Sequence, residues 1–223
     1  MTTVDGLIFD LDGTLLDRST VFVKVARDFF NQHLTSLTSH TPDEAVEQMV
    51  KWDKDGYSNR EWMLAQWLKQ WPDTGLDMDS LRAWYRASMV RNIEPDVEII
   101  GFLTRLNRQR VPWGIVTNGA ASQRDKCKAA GLEQIAPFII VSGEIGYWKP
   151  DRRIFREALT AAGVNTPERI IFIGDNPVAD IDGAKRFGML AAWVKRGRQY
   201  PNDLMPPDYT IDHVLEVQQI VEV

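Results

Sequence analysis

The chain has 223 residues, a hydrophobic content of 44% and a charged content of 26%, which is typical of a globular protein with one large domain or a core and a small insert. Its net charge of −5 argues against binding of a nucleic-acid polymer, and no apolar stretch approaches the length of a membrane span or a signal peptide. The single cysteine, Cys127, cannot form an internal disulfide, so the expected location is the reducing cytoplasm.

The first predicted strand is the short apolar run Gly6-Leu7-Ile8-Phe9, which ends at Asp10. An apolar run of this length without a 3.6-residue period is typical of a buried strand. Strands buried on both faces belong to parallel sheets covered by helices. Because ligands of such sheets bind at the carboxyl ends of the strands, we expect the chemistry of this protein at Asp10 and Asp12.

Residues 17–94 are predicted to form a helical insert, since no strand pattern occurs between Leu16 and Pro95. Two segments, Thr41–Glu44 and Ser58–Glu61, have the spacing of capping boxes. Five of the eight tryptophans lie in the insert, and we expect them to pack in a small core rather than stack on a ligand: Trp52, Trp62, Trp67, Trp71 and Trp84. The remaining residues, 1–16 and 95–223, would form the core domain.

From Pro95 onwards, helices and strands alternate, which predicts βαβ units and a parallel sheet. The predicted strands are 111–116, 138–141, 169–173, 190–194 and an edge strand at 208–211. The predicted helices are 96–109, 122–130, 151–162, 178–187 and 214–221, and a loop is expected at 143–150. The predicted fold class is therefore α/β, a Rossmann-like parallel sheet with helices on both faces and an all-helical insert after the first strand.

Polar residues stand at the ends of three predicted strands and in one loop, and parallel strands would bring them to one rim. They are Asp10 and Asp12, Thr117 and Asn118, Gly174 and Asp175, and Lys149 in the loop. Carboxylates crowded in this way repel one another, and Mg²⁺ relieves that repulsion while accepting hard oxygen ligands. None of the three histidines lies in these segments, so neither a zinc site nor a Ser-His-Asp triad is expected.

Four segments, in this order along the chain, resemble the motifs of the haloacid dehalogenase superfamily of phosphotransferases. They are DLDGT (Asp10–Thr14), TNG (Thr117–Gly119), YWKPD (Tyr147–Asp151) and GDNPVAD (Gly174–Asp180). The resemblance covers the whole chain, because residues 17–94 resemble the inserted helical cap of the family. It implies the fold of the family and catalysis with Mg²⁺.

The resemblance also implies a catalytic role for three residues. Asp10 would be the nucleophile that attacks phosphorus and becomes an aspartyl phosphate. Asp12 would protonate the leaving oxygen and then deprotonate the water that hydrolyses the intermediate. Lys149 would neutralise the charge of the nucleophile and of the phosphoryl group.

The same resemblance assigns the binding residues. Thr117 would hold a phosphate oxygen through its hydroxyl, and Asn118 through its backbone N–H. Asp10, Asp175 and the main-chain carbonyl of Asp12 would bind Mg²⁺. Asp180 would support the metal site, whereas Asp182 is expected at the surface.

Asp12 favours phosphate ester cleavage, because displacement of a halide needs no proton and the dehalogenases of the family lack an acid at this position. We therefore expect hydrolysis of a small phosphomonoester such as a nucleotide or a sugar phosphate. The segment VTNGAASQRDKCKAAGL is similar to that of nucleotidase-like members. A β-phosphoglucomutase-like phosphomutase, a haloacid dehalogenase and a non-enzymatic binding protein are the alternatives, and the chain is expected to be a monomer or a homodimer.

Overall fold

A computed structural model of the protein describes residues 1–36 and 40–222. The chain forms two compact units, of which the first combines Met1–Leu16 with Glu94–Val223 and the second is Asp17–Ile93. The second unit is thus inserted after the first strand of the sheet. Among the helices in the described parts of the chain, none is both long and apolar enough to cross a bilayer.

The strands are β1 (Thr2–Thr3), β2 (Gly6–Phe9), β3 (Trp113–Thr117), β4 (Ile139–Val141), β5 (Ile170–Gly174), β6 (Leu190–Val194), β7 (Tyr209–Ile211) and β8 (Val221–Glu222). The α-helices of the inserted unit are α1 (Arg18–Phe29), α2 (Pro42–Asp53), α3 (Arg60–Gln70) and α4 (Met78–Arg91). Those of the first unit are α5 (Val97–Gln109), α6 (Ser122–Ala129), α7 (Ser142–Ile145), α8 (Arg152–Ala162), α9 (Gly183–Phe187) and α10 (Val217–Ile220).

Six parallel strands form the main sheet in the order β4-β3-β2-β5-β6-β7. Strand β2 lies between β3, where Leu7 is beside Trp113, and β5, where Gly6 is beside Ile170. The chain builds the sheet outward through β3 and β4 and then returns to the opposite side of β2. The strand order therefore reverses at β2, which is where open α/β sheets bind their ligands.

Alternate residues of β2 face opposite sides of the sheet, as the strand period requires. Ile8 lies in a buried cluster with Ile154 and Phe155 of α8. Phe9 contacts Phe102 of α5, and their ring centroids are 6.2 Å apart. Helices thus cover both faces of the sheet, and the predicted Rossmann-like α/β class is confirmed.

The described residues of the inserted unit form helices joined by turns, without a strand, and enclose an aromatic core. Phe29 and Trp67 are fully buried, with ring centroids 4.7 Å apart. Trp71 is buried as well, while Trp52 and Trp84 are half-buried and contact Trp71 and Phe29. The expectation of packing was wrong for Trp62 alone, which is 44% exposed because it lies on the outer face of α3.

Two helix ends test the predicted capping boxes. Thr41 forms one, because its hydroxyl accepts from the N–H of Glu44 while the Glu44 carboxylate accepts from the N–H of Thr41. The prediction for Ser58 was wrong: α3 is capped by Asn59, whose side-chain oxygen accepts from the N–H of Trp62 at 3.0 Å. The asparagine one residue later offers an equally good cap, and the helix begins there.

Other differences lie near the chain end and in one loop. The predicted helix 214–221 is a 3₁₀ turn (Val214–Glu216) followed by α10, and its last predicted residue pairs with β1 in a two-stranded ribbon. The predicted loop 143–150 begins inside the short helix α7. Asp182, expected at the surface, is buried because Arg186 and the backbone N–H of Met205 bind its carboxylate.

Replacement of Asp53 by alanine should destabilise the inserted unit by about 3 kcal/mol. Arg18 binds both oxygens of the Asp53 carboxylate at 2.6 and 2.7 Å, and the two side chains are only 12% and 5% exposed. The variant would leave this guanidinium buried without its bidentate carboxylate. Urea unfolding followed by tryptophan fluorescence measures the change in free energy of unfolding.

Glu47→Ala is the matched control, because the Glu47–Lys51 pair is exposed on both sides and should contribute less than about 0.5 kcal/mol. Equal losses of stability in the two variants would contradict the structural importance of the buried pair.

Candidate active site

The predicted site residues lie at the ends of three adjacent strands. Asp10 follows β2, Thr117 ends β3 and Asp175 follows β5, and these strands are neighbours in the order β3-β2-β5. Each of these three residues is at most 7% exposed. The parallel sheet thus brings the predicted residues to one rim, at its centre.

Lys149 reaches this rim from the loop between α7 and α8. Its Nζ atom donates hydrogen bonds to Asp10 Oδ1 at 2.6 Å and to the Val116 carbonyl at 2.8 Å. It also lies 2.7 Å from Asp180 Oδ1. The ammonium group therefore contacts three oxygen atoms, and the Lys149 side chain is only 1% exposed. This fixes a positive charge beside the Asp10 carboxylate.

Three carboxylates form a buried cluster around this charge. One oxygen each of Asp10, Asp175 and Asp180 lies within 4.8 Å of the other two. Asp180 is thus a member of the cluster itself, and its Oδ2 atom accepts from the N–H of Asn176 at 2.9 Å. Its Oδ1 atom pairs with Lys149 but accepts no well-aligned hydrogen bond from the described residues. Such a set of oxygens could hold a divalent cation.

The carboxylates of the cluster are buried and repel one another, and both effects raise the pKa values of Asp10 and Asp175. Burial raises the pKa of Asp10 well above its usual range, and the charges of Asp180 and Asp175 raise it further against the attraction of Lys149. Burial and Asp180 raise the pKa of Asp175 to about 6, although Arg198 opposes the shift. Burial alone would lower the pKa of Lys149, but the charges of Asp10 and Asp180 prevail and raise it.

Two glycines permit this crowding. Gly174 ends β5, and a Cβ atom there would lie 2.5 Å from the Cγ atom of Asp180. Gly13 has a φ of +85°, and a Cβ atom there would lie 2.7 Å from the Cγ atom of Asp175. No real Cβ makes such contacts, so the glycines of the DLDGT and GDNPVAD segments are required for close approach to two carboxylates.

Asn118 positions the lysine loop. Its side-chain Nδ2 donates to the Lys149 carbonyl at 2.9 Å, and its Oδ1 accepts from the Lys149 N–H at 2.8 Å. The side chain is thus engaged with protein backbone. The resemblance implied only that the backbone N–H of Asn118 contacts a phosphate oxygen. The structure adds a contact of its side chain with Lys149, 31 positions away in the sequence.

The carboxylate of Asp12 contacts different side chains from the carboxylate of Asp10. Its Oδ2 atom accepts from Gln123 Nε2 at 2.8 Å and lies 2.5 Å from Lys126 Nζ. Gln123 and Lys126 belong to α6, and the sequence analysis gave them no role. Gln123 and Lys126 are three residues apart and share one side of α6 with the buried Cys127. This spacing could have indicated their role in the sequence, because polar residues on a buried helix face need polar partners.

Arg198 is the other residue that the sequence analysis missed. Its guanidinium donates to the Asp175 carboxylate at 3.0 Å and to the Asp175 carbonyl at 2.9 Å. The indole of Trp193 donates to the same carbonyl at 2.9 Å. These contacts hold the loop after β5 in place, and no local pattern in the sequence announces them.

With this geometry, the chain can be compared with known proteins. Residues 7–194 match the family model of the haloacid dehalogenase-like hydrolases. The chain belongs to this family. The resemblance carried by the four sequence segments is thereby confirmed.

Several curated relatives of this family member are phosphatases. A phosphoserine phosphatase of Thermus thermophilus is 37% identical over 60% of this chain and 53% of its own length, so the match spans about half of that relative. A glyceraldehyde 3-phosphate phosphatase of Methanopyrus kandleri is 27% identical over 98% of this chain and 97% of its own length. The pyrimidine 5'-nucleotidase YjjG of Escherichia coli is 29% identical over 97% of both chains. Together with the family, they support phosphatase activity.

Solved structures share the fold over the full chain. The HAD-hydrolase YfnB of Bacillus subtilis, whose structure was solved with magnesium, superimposes with a TM-score of 0.77 at 22% identity and covers 100% of both chains. A HAD phosphatase of Thermococcus onnurineus superimposes with a TM-score of 0.63 at 26% identity, covering 99% of this chain and 97% of its own.

Replacement of Asn118 by alanine should lower kcat roughly 10- to 100-fold, because loss of both contacts to the Lys149 backbone releases the ammonium group from its place beside Asp10. Hydrolysis of an aryl phosphate measures kcat, and a thermal melt checks that the variant is folded. The exposed Asn202 provides the control variant Asn202→Ala. A folded Asn118→Ala protein with unchanged kcat would show that Lys149 does not depend on this contact.

Proposed function

We propose that this haloacid dehalogenase-like hydrolase is a Mg²⁺-dependent phosphatase of small phosphomonoesters that acts through an aspartyl phosphate on Asp10. The observation that carries the proposal is the arrangement of two carboxylates on one strand end with separate cationic partners. Asp10 is paired with Lys149 at 2.6 Å, and Asp12 with Lys126 at 2.5 Å. A nucleophile and an acid–base group in different environments are what a two-step displacement requires.

In the first step, a carboxylate oxygen of Asp10 attacks phosphorus while the bond from phosphorus to the ester oxygen breaks. The leaving oxygen keeps the electron pair of that bond and takes a proton from Asp12. Lys149 stabilises the negative charge of the transferring phosphoryl group. The Thr117 hydroxyl and the Asn118 backbone N–H donate to its oxygens.

In the second step, water attacks the phosphorus of the aspartyl phosphate. Asp12 accepts the proton of that water, and the bond between phosphorus and Asp10 breaks. Inorganic phosphate leaves, and Asp10 returns to its carboxylate with the electron pair of the broken bond. Asp12 is then protonated again and ready for the next ester.

The residues of the rim fit a divalent cation. Asp10 and Asp175 would hold it together with the main-chain carbonyl of Asp12, and Asp180 would support them. The raised pKa values of Asp10 and Asp175 mean that the existing partners do not fully compensate burial and mutual repulsion. When bound, Mg²⁺ supplies positive charge that favours both carboxylates in their ionised form and neutralises phosphoryl oxygens.

The alternatives have no specific observation in their favour. A β-phosphoglucomutase of Thermotoga maritima and a dehalogenase share the fold with TM-scores of 0.75 and 0.73, at 15% and 18% identity, which speaks for the fold alone. The acid at Asp12, with two donors on its carboxylate, would serve no purpose in halide displacement. A phosphatase and a mutase would both use the acid at Asp12. The two reactions differ only in whether the aspartyl phosphate transfers its phosphoryl group to water or back to a sugar.

The relatives support the proposed substrate class. They act on phosphoserine, glyceraldehyde 3-phosphate, pyrimidine 5'-nucleotides and N-acylneuraminate 9-phosphate, all small metabolites with one phosphomonoester. We propose a substrate of this size, either a nucleotide or a phosphorylated sugar or acid. A panel of phosphate esters tests this proposal. It contains one ester of each of these classes, a hexose phosphate and an aryl phosphate, and the rate of phosphate release ranks them.

Phosphate release from this panel tests the proposed function. We expect metal-dependent release from at least one ester, and a fall of at least about 10³-fold in Asp10→Asn, because removal of the nucleophile removes the covalent route. The exposed Asp203 supplies the control variant Asp203→Asn. No release from any ester with Mg²⁺ present would contradict the proposal, and conversion of a hexose phosphate to its isomer would assign the mutase reaction instead.

A divalent cation should also stabilise the folded protein, independently of activity. At 100 times its dissociation constant, Mg²⁺ should add about 2.7 kcal/mol, which raises Tm by roughly 5–10 °C for a chain of this size. Calorimetry with Mg²⁺ and with chelator measures the shift. Asp175→Asn should abolish most of it, while Asp203→Asn should retain it, and equal shifts in both variants would place the metal elsewhere.

A further inference from the structure

Two side chains of α6, Gln123 and Lys126, hold the carboxylate of Asp12. Lys126 Nζ lies 2.5 Å from Asp12 Oδ2, and Gln123 Nε2 donates to the same oxygen at 2.8 Å. The contacts join residues more than 110 positions apart. Both donors therefore converge on one oxygen of the group that handles the proton.

Both donors are held inside the protein. Gln123 is 4% exposed and Lys126 is 7% exposed, although lysine and glutamine ordinarily lie at the surface. Burial of an ammonium group is unfavourable unless it is paired and hydrogen-bonded. The neighbouring Lys128 of the same helix is exposed, so burial is confined to the face of α6 that carries Gln123, Lys126 and Cys127.

Gln123 also connects Asp12 to the proposed phosphate-binding hydroxyl. Its Nε2 atom lies 2.7 Å from Thr117 Oγ1. Because the hydroxyl oxygen accepts from Gln123, its hydrogen is directed elsewhere, and this favours donation to a phosphate oxygen. Gly119 makes room for the side chain, since a Cβ atom there would lie 2.6 Å from the Gln123 Cγ atom.

We propose that Gln123 and Lys126 are positioning residues that orient Asp12 for proton transfer to the leaving oxygen. With Oδ2 anchored by two donors, rotation of the carboxylate is restrained, and Asp12 is held in one orientation toward the leaving oxygen. Gln123 in addition fixes the direction of the Thr117 hydroxyl. This inference rests on the proposed function, and its test separates the two.

The test compares esters whose leaving groups differ in their need for a proton. An alkyl phosphate requires protonation of its oxygen, whereas an aryl phosphate with a weakly basic phenolate does not. The value of kcat/KM covers all steps up to departure of the leaving group. In Lys126→Met it should fall about 10- to 100-fold for glycerol phosphate and less than about 3-fold for 4-nitrophenyl phosphate.

Three further variants complete the design. Lys126→Arg keeps a cation and should recover much of the activity on glycerol phosphate. Gln123→Met has nearly the volume of glutamine. Because Gln123 also contacts Thr117, this variant should lose activity on both esters but clearly more on glycerol phosphate, so it provides the test if Lys126→Met does not fold. Lys128→Met, on the same helix but exposed, should match the wild type on both esters.

An equal loss on both esters would overturn the inference, because it would indicate a structural or phosphate-binding role. So would full activity of folded Lys126→Met and Gln123→Met. Failure of the proposed function has a different signature, namely absence of phosphate release by the wild type or its persistence in Asp10→Asn. In that case the positioning role, which depends on that function, falls with it.

Discussion

One buried ammonium group holds the acidic rim together. Lys149 Nζ contacts Asp10, Asp180 and the Val116 carbonyl at 2.6 to 2.8 Å, in a place where water screens charges poorly. Even so, the pKa values of Asp10 and Asp175 are raised, so burial and repulsion outweigh the attraction of the cations present. The fold therefore keeps three buried carboxylates within 4.8 Å of one another, although burial and repulsion disfavour the charged forms of Asp10 and Asp175.

This charge cluster constrains the chain around it. The three strand ends must be adjacent, which places β2 at the centre of the sheet. The loop of Lys149 must be fixed in position relative to these strand ends, and the Asn118 side chain fixes it through two hydrogen bonds with the Lys149 backbone. Carboxylates this close leave no space for side chains at Gly13 and Gly174. The residue types of the motifs thus follow from packing around the charges as much as from the reaction.

The parts of the structure that depend on local pattern could be predicted from the sequence. The apolar run before Asp10, the alternation of helices and strands and the glycines after helices led to the fold and to Asp10, Thr117 and Asp175. Gln123, Lys126 and Arg198 could not be assigned, because their contacts depend on how α6 and the loop after β6 are turned toward distant residues. The Asn59 cap and the exposed Trp62 were missed because single side chains choose between nearly equivalent local alternatives.

The two aspartates after β2 have different surroundings, which suits the two different roles proposed for them. Asp10 has a side chain 9% exposed and is paired with a lysine from the loop before α8, while Asp12 is 24% exposed and is paired with a lysine from α6. Each carboxylate is therefore paired with a different cation. The more buried group is suited to attack phosphorus away from water. The more exposed group is the proposed acid–base group, which must reach a leaving oxygen and a water, so the difference in burial supports the proposed division of roles.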